Sequence, residues 1–114
     1  MERILLIWTY PHYFGVPIVS MFNKKKYKKF VQSANQKLND FGIEMELDDT
    51  FGDIEELLKQ QYKMIAFIPG CESKYWMWMD ELKKAMIPLH FFTESEMYNN
   101  DISKVLYLLT NNND

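Results

Sequence analysis

Two short segments made almost entirely of apolar residues constrain the fold of this chain more than any other feature. They read RILLIW over residues 3–8 and MIAFI over residues 64–68. A strand that is apolar on both faces belongs in a sheet that is covered on both sides. We therefore expect both segments to be central strands of a buried sheet.

The rest of the chain alternates between helical and strand patterns. Helices are predicted over 24–41, 52–61 and 74–86, and a closing helix is predicted around Ile102, Val105, Leu106 and Leu109. The 24–41 pattern is the clearest, because apolar residues recur every three or four positions up to the stop at Gly42: Tyr27, Phe30, Val31, Ala34, Leu38 and Phe41. Apolar and acidic residues alternate over 43–48, which predicts a strand with one face in water.

The order of these elements predicts a parallel sheet, and the sequences of two strands indicate that they lie at its edges. Residues 87–92 form the fourth predicted strand, and Pro88 places it near an edge because proline lacks an amide donor. The alternating second strand also belongs at an edge, so the predicted strand order is 2-1-3-4 in a single α/β domain of 114 residues, with helices on both faces. In such sheets ligands bind at the carboxyl ends of the strands, where the strand order reverses.

That reversal lies between the first and third strands and selects the candidate binding residues. The loop after the first strand and the loop after the third strand supply them: Trp8, Thr9, Tyr10, His12, Phe14, Gly15, Gly70, Cys71, Glu72 and Ser73. Ser73 is also the expected cap of the 74–86 helix.

Cys71 and His12 are the candidate catalytic residues. A thiol beside an imidazole can act as a nucleophile, and either side chain can carry a phosphoryl group. The alternative interpretation is a small half-buried cysteine and a loop histidine with no joint role.

The first loop lacks a glycine-rich phosphate cradle, so we expect no nucleotide or flavin cofactor. No set of His, Cys and carboxylates has metal-ligand spacing. Asp48 and Asp49 are expected to form a solvated turn, with a cation site as the alternative.

Two surface features indicate a protein partner. The lysine patch, which comprises Lys24, Lys25, Lys26, Lys28 and Lys29, is either a contact for an anionic partner or a solvated helix face. In the 74–86 helix, Trp76 and Met77 point away from the inward face, which predicts an interface, either in a homodimer or with another protein; a broad core face is the alternative.

Composition limits the partners and the cellular compartment that are expected for such a protein. The net charge of −3 gives no general attraction for nucleic acid. No apolar stretch approaches membrane-spanning length, so no membrane insertion is expected. The single cysteine cannot form an internal disulfide and fits a reducing cytoplasm.

A family resemblance covers nearly the whole chain as a pattern. MIAFIPGCESKYWMWMDELKKAMIPLHFF, FTESEMYNNDISKVLYLL and RILLIW resemble the strands, loops and helices of the flavodoxin-like enzyme IIB components of bacterial sugar phosphotransferase systems, lactose/cellobiose type. The resemblance implies a phosphorylated cysteine just after the first strand, in a loop rich in Gly, Ser and Thr. Here that position falls at Trp8 or Thr9, and the loop YPHYFGVPIVS is longer and lacks that composition.

No catalytic residue can therefore be transferred from the family by position, which leaves three functional interpretations. The first is a divergent enzyme IIB-like protein that acts in sugar uptake or its regulation through protein contacts rather than phosphocysteine chemistry. The second is an active phosphocarrier that uses Cys71 or His12. The third is a small-ligand sensor whose aromatic loop stacks on a sugar or base.

Overall fold

The computed structural model describes residues 2–8, 21–50, 53–71 and 78–110. Within these ranges the chain alternates strands and helices. The elements are β1 (Glu2–Ile7), α1 (Met21–Leu38), a 3₁₀ turn (Asn39–Phe41), β2 (Ile43–Leu47), α2 (Ile54–Leu58), β3 (Met64–Phe67), α3 (Met79–Ala85), β4 (Leu89–Phe91), α4 (Glu94–Tyr98) and α5 (Ser103–Thr110).

The four strands form one parallel sheet in the order β2-β1-β3-β4, which confirms the predicted topology. In the register of the sheet, Ile4 of β1 lies between Met45 of β2 and Met64 of β3. On the other side of β3, Ala66 pairs with His90 of β4. The order in which strands are added to the sheet therefore reverses between β1 and β3, as the apolar patterns predicted.

The two central strands form the middle of the core. Every residue from Ile4 to Ile7 and from Met64 to Phe67 is buried. Burial of a large aliphatic or aromatic side chain contributes about 1.5–3 kcal/mol, so these strands supply much of the driving force for folding. Helix residues cover both faces of the sheet and complete the core, among them Phe30, Ala34, Leu38, Leu57, Leu82, Val105 and Leu109.

The α1 helix differs from its prediction at both ends. It begins at Met21 rather than Lys24, and its last three predicted residues form the 3₁₀ turn. Phe41 is 56% exposed in that turn, so the prediction that it shares one face with the other apolar residues of α1 was wrong. The cause is geometric. A 3₁₀ helix has three residues per turn instead of 3.6, so its side chains no longer point along the apolar face of the preceding α-helix. Gly42 then ends the segment with φ +72°, a left-handed conformation that glycine adopts readily.

A side chain of α1 completes the outer edge of the sheet at β2. Asn35 Nδ2 donates to the backbone oxygen of Met45 at 3.0 Å, and the Met45 amide donates to Asn35 Oδ1 at 2.7 Å. The central residue of β2 is thus hydrogen-bonded on its outer side by one side-chain amide. Backbone groups that would otherwise lack a protein partner are satisfied in this way.

Two helices and one strand are shorter than predicted or only partly described. The α2 helix covers five residues within the predicted 52–61, and β4 covers three within 87–92. Within the predicted 74–86, α3 covers Met79–Ala85 and ends at a left-handed Met86, and residues 74–77 lie outside the described ranges. Among the helices that the described residues form, none combines the length and apolarity needed to cross a membrane.

The short helix α4 was not predicted. Thr93 Oγ1 accepts from the Glu96 amide at 3.1 Å, and the Thr93 amide donates to Glu96 Oε1 at 2.8 Å, which is a capping box. Glu96 Oε2 also lies 3.1 Å from His90 Nε2 of β4 in a nearly buried pair. The pattern Thr93-x-x-Glu96 was therefore the sequence signal for this helix.

Candidate functional site

The carboxyl ends of the central strands and the end of β2 meet at one edge of the sheet. The Ile68 amide donates to the Ile7 oxygen at 3.1 Å, and the Asp48 amide donates to the Leu6 oxygen at 2.9 Å. These two bonds extend the sheet by one residue beyond β3 and β2. The residue that follows β1, Trp8, consequently lies between the two neighbouring chain segments.

Trp8 is fixed in this position by a hydrogen bond and by packing. Its side chain is 9% exposed, and its Nε1 donates to the backbone oxygen of Asp48 at 2.6 Å. Its ring centroid lies 6.1 Å from that of Tyr27 on α1, at an interplanar angle of 54°. The indole is therefore part of the core at the switch point and ties β1 to the end of β2 and to α1.

Cys71 lies at the end of the turn that follows β3. The Cys71 amide donates to the Ile68 oxygen at 3.3 Å, and Gly70 adopts φ +98°, a conformation that favours glycine. The Cys71 side chain is only 2% exposed. A cysteine buried among apolar side chains is typically unreactive, because a nucleophilic thiolate needs access and a polar environment.

Several predicted site residues lie outside the part of the chain that the structure describes. They are Thr9, Tyr10, His12, Phe14 and Gly15 in the first loop, and Glu72, Ser73, Trp76 and Met77 after the third strand. The pairing of His12 with Cys71 and the interface at Trp76 and Met77 stay predictions. Of the predicted binding residues, the structure places Trp8, Gly70 and Cys71 at the same edge of the sheet.

A cavity of about 300 Å³ opens at this edge and is called here the carboxyl-end groove. Pro69 follows β3, two lining residues lie on α1, and three lie on α4: Lys26, Tyr27, Pro69, Glu94, Met97 and Tyr98. Tyr98 is 87% exposed, while Met97 is buried. The sequence did not predict this groove, because half of its described lining residues come from the unpredicted α4.

The lysine patch extends along α1 from the same groove. Its five lysines lie in the N-terminal half of the helix, and the first turn contains no acidic residue. Lys26 Nζ is 5.7 Å from the centroid of the Tyr27 ring, within cation–π range. None of the five forms an ion pair with another residue in the described ranges.

A second cavity, of about 320 Å³, lies beside β2 and carries four carboxylates from Glu46, Asp48, Asp49 and Glu56. Asp48 is 3% exposed, and its Oδ1 accepts from both the amide (2.8 Å) and the hydroxyl (2.7 Å) of Thr50. The expectation of a fully solvated turn was therefore wrong for Asp48, because the turn folds back over its carboxylate. Within the described residues, no three His, Cys, Asp or Glu side chains are grouped to hold a metal ion.

Arg3 supplies positive charge beside this acidic cavity. Its Nη1 lies 3.2 Å from Glu46 Oε2, and its guanidinium lies 4.8 Å from the centroid of the Tyr62 ring. Burial, followed by the nearby carboxylate of Glu46, raises the pKa of Tyr62 above its ordinary value. The charged groups beside this cavity thus interact with one another, through contacts between β1, β2 and the segment that precedes β3.

Comparison with models of known families, with curated proteins and with solved structures gives no match to this chain. What the structure defines is an α/β fold with a four-stranded parallel sheet in the order 2-1-3-4 and interleaved helices. At the carboxyl edge of that sheet, a buried tryptophan and a buried cysteine lie beside an open groove and a basic helix surface.

Proposed function

We propose that this protein is a divergent enzyme IIB-like domain that binds a protein partner at the carboxyl edge of its sheet and does not transfer a phosphoryl group. The partner is a component of a bacterial sugar phosphotransferase system, and the setting is the cytoplasm. The role is regulatory, because binding without phosphoryl transfer can control a partner but cannot pass phosphate on to a sugar.

The observation that carries this proposal is the environment of Trp8. Enzyme IIB proteins have their phosphocysteine at the position that falls at Trp8 or Thr9 of this chain. The Trp8 indole is buried, and its only N–H donates to the Asp48 oxygen. A phosphoryl group needs backbone N–H donors and space around the nucleophile. The indole fills space next to the end of β1 with a side chain that has no nucleophilic atom.

The burial of Cys71 also supports binding rather than phosphoryl transfer. A phosphocysteine would add a dianionic group at a position where the thiol is only 2% exposed. Burying such a charge is unfavourable and the added group needs space around Cys71 Sγ, so phosphorylation would require the turn after β3 to open. The alternative of an active phosphocarrier thus depends on that opening or on His12.

The surface beside Trp8 has the chemistry of a contact site. The carboxyl-end groove has a highly exposed tyrosine at its rim, and the adjoining lysine patch has no described ion-pair partner. Exposed aromatic side chains beside a concave surface are enriched at protein interfaces. An upstream phosphocarrier of the lactose/cellobiose type is the partner that the proposal predicts.

The test is to mix the intact protein with a radiolabelled, phosphorylated upstream phosphocarrier of such a system. We expect saturable binding, measured by titration calorimetry, and no transfer of label to the protein. Transfer of label would overturn the proposal in favour of an active phosphocarrier, and its loss in Cys71→Ser or His12→Ala would identify the acceptor.

Two other outcomes also count against the proposal. If neither label nor binding is detected, the predicted partner class is wrong. If a sugar or nucleobase raises the thermal unfolding temperature while the phosphocarrier does not, the alternative of a small-ligand sensor is supported instead.

A further inference from the structure

We infer that the carboxyl-end groove receives one large apolar side chain from an acidic segment of the partner protein, and that the lysine patch binds the carboxylates beside that side chain. The inference rests on the proposed function, since it specifies the partner's chemistry at the same edge of the sheet. It adds a sequence requirement for the partner: an aromatic or branched aliphatic residue flanked by Asp or Glu.

The size of the groove limits what it can hold. Its volume of about 300 Å³ is at the lower end of the range of roughly 300–1,000 Å³ found for small-molecule pockets. Since a cavity of about 150 Å³ is enough for one benzene ring, the groove accommodates an aromatic or branched side chain together with part of the segment that carries it. A single anchoring side chain from a larger molecule fits this size, and a dinucleotide does not.

The lining of the groove is about half polar and half apolar, and its apolar part suits the anchoring side chain. Met97 is a buried thioether on α4, and Pro69 is a half-buried ring at the end of β3. Tyr27 and Tyr98 add two phenol rings from opposite sides, on α1 and α4. Methionine adapts to the shape of its neighbours, and aromatic rings contribute large contact areas.

The charge around the groove selects acidic flanking residues. Lys26 lines the groove, and the other four lysines of the patch lie along the same helix. Glu94 is the one carboxylate among the described lining residues. The whole chain carries a net charge of −3, so this concentration of five lysines is a local feature.

The test uses three blocked tripeptides as probes and the ¹³C-labelled methyl group of Met97 as the reporter. The probes are acetyl-Glu-Phe-Glu-amide, acetyl-Glu-Ala-Glu-amide and acetyl-Lys-Phe-Lys-amide, and the Met97 signal is assigned with Met97→Leu. We expect the first peptide to cause a saturable ring-current shift of the Met97 methyl. Removing the phenyl ring should weaken binding by about tenfold or more, since the burial of a large side chain is lost.

Substitutions at exposed positions localise the binding without affecting the fold. Tyr98→Ala should weaken binding of the acidic phenylalanine peptide by about 3- to 10-fold, while Tyr107→Ala on α5 should leave it unchanged. At low salt, Lys26→Gln should weaken it by about 2- to 5-fold, and Glu94→Gln should strengthen it by a similar factor. Lys84→Gln on α3 is the matched control for loss of one exposed lysine.

Three results would overturn the inference. One is the absence of any Met97 shift up to about 10 mM peptide, which is weaker than a useful anchor contact. Another is equal binding of all three peptides or of all the variants. The third is a Met97 shift that depends on protein concentration alone, which would mean that a second copy of this chain fills the groove.

The two proposals fail separately. The peptides test only the groove, so their failure leaves the phosphocarrier experiment intact. Transfer of label from the phosphocarrier would overturn the proposed function even if the peptides bind.

Discussion

Trp8 joins three elements through one side chain. It follows β1, donates to the Asp48 oxygen beyond β2 and packs on Tyr27 of α1. Its burial adds apolar contact area, and its N–H donates to the backbone oxygen of Asp48. Trp8 therefore contributes to stability as well as shaping the candidate site.

Replacing Trp8 with Phe should destabilise the protein measurably. The substitution leaves a cavity and removes the donor to the Asp48 oxygen, so we expect a loss of about 2–4 kcal/mol in the free energy of unfolding. Urea unfolding followed by circular dichroism measures this loss, with Tyr98→Phe on the exposed rim as the control. A loss similar to that of the control would show that the indole is not held as described.

Asp101 makes the stability of the folded protein depend on pH in the acidic range. Its Oδ1 accepts from the Ser103 hydroxyl at 2.6 Å and from the Ser103 amide at 3.0 Å, and these bonds lower the pKa of Asp101 below its ordinary value of 3.8. A carboxylate with a lowered pKa in the folded state stabilises the protein above its ordinary pKa. That contribution is lost as the pH falls through the lowered value.

Asp101→Asn should therefore lower the thermal unfolding temperature by more at about pH 6 than at about pH 2.5. The effect should be small, because Asp101 is exposed and its charge is screened by solvent. Asp53→Asn, at another exposed carboxylate whose side chain makes no capping hydrogen bond, is the control. An equal effect of Asp101→Asn at both pH values would contradict the assignment.

At the scale of elements, Asn35 links α1 to β2 through two hydrogen bonds to one residue. Asn35→Ala should leave both the amide and the oxygen of Met45 without that partner, at a cost of about 2–3 kcal/mol in the free energy of unfolding. Gln36→Ala, at the next and exposed position of α1, should cost little. Urea unfolding gives the free energies, and hydrogen exchange at the Met45 amide gives the local effect. Unchanged exchange at Met45 would contradict the role of Asn35.

The elements that the sequence predicted well are those whose pattern reflects burial directly. The central strands are apolar throughout because both faces are covered, and α1 has one continuous apolar face as far as Leu38. The α4 helix was missed because its five residues place few side chains in the core, and its capping box at Thr93 and Glu96 was the available signal. The 3₁₀ turn was missed because its sequence continues the helical spacing up to Phe41.

The site was less predictable than the fold for a physical reason. Parallel strand order fixes where the carboxyl ends meet, so the sequence located the edge that holds Trp8, Gly70 and Cys71. The burial of Trp8 and Asp48 depends on contacts between segments about 40 residues apart, as in the Trp8–Asp48 hydrogen bond. Periodicity within one segment contains no information about such pairs.

At the scale of the whole molecule, charge is distributed unevenly over a chain with a modest net charge. The lysine patch lies on α1 beside the carboxyl-end groove, whereas four carboxylates line the cavity beside β2. Such separation orients a charged partner before contact and raises the association rate at low salt. An acidic partner would accordingly be attracted to the side of this protein that carries the groove and the lysine patch.

The Asn35 amide has a further consequence for how this protein behaves at high concentration. An unpaired edge strand is a template for strands of other molecules and a starting point for aggregation. At the centre of β2 that template is occupied, since Asn35 already binds both backbone groups of Met45. In the folded protein, the helix that carries the lysine patch thus also prevents another strand from pairing with Met45.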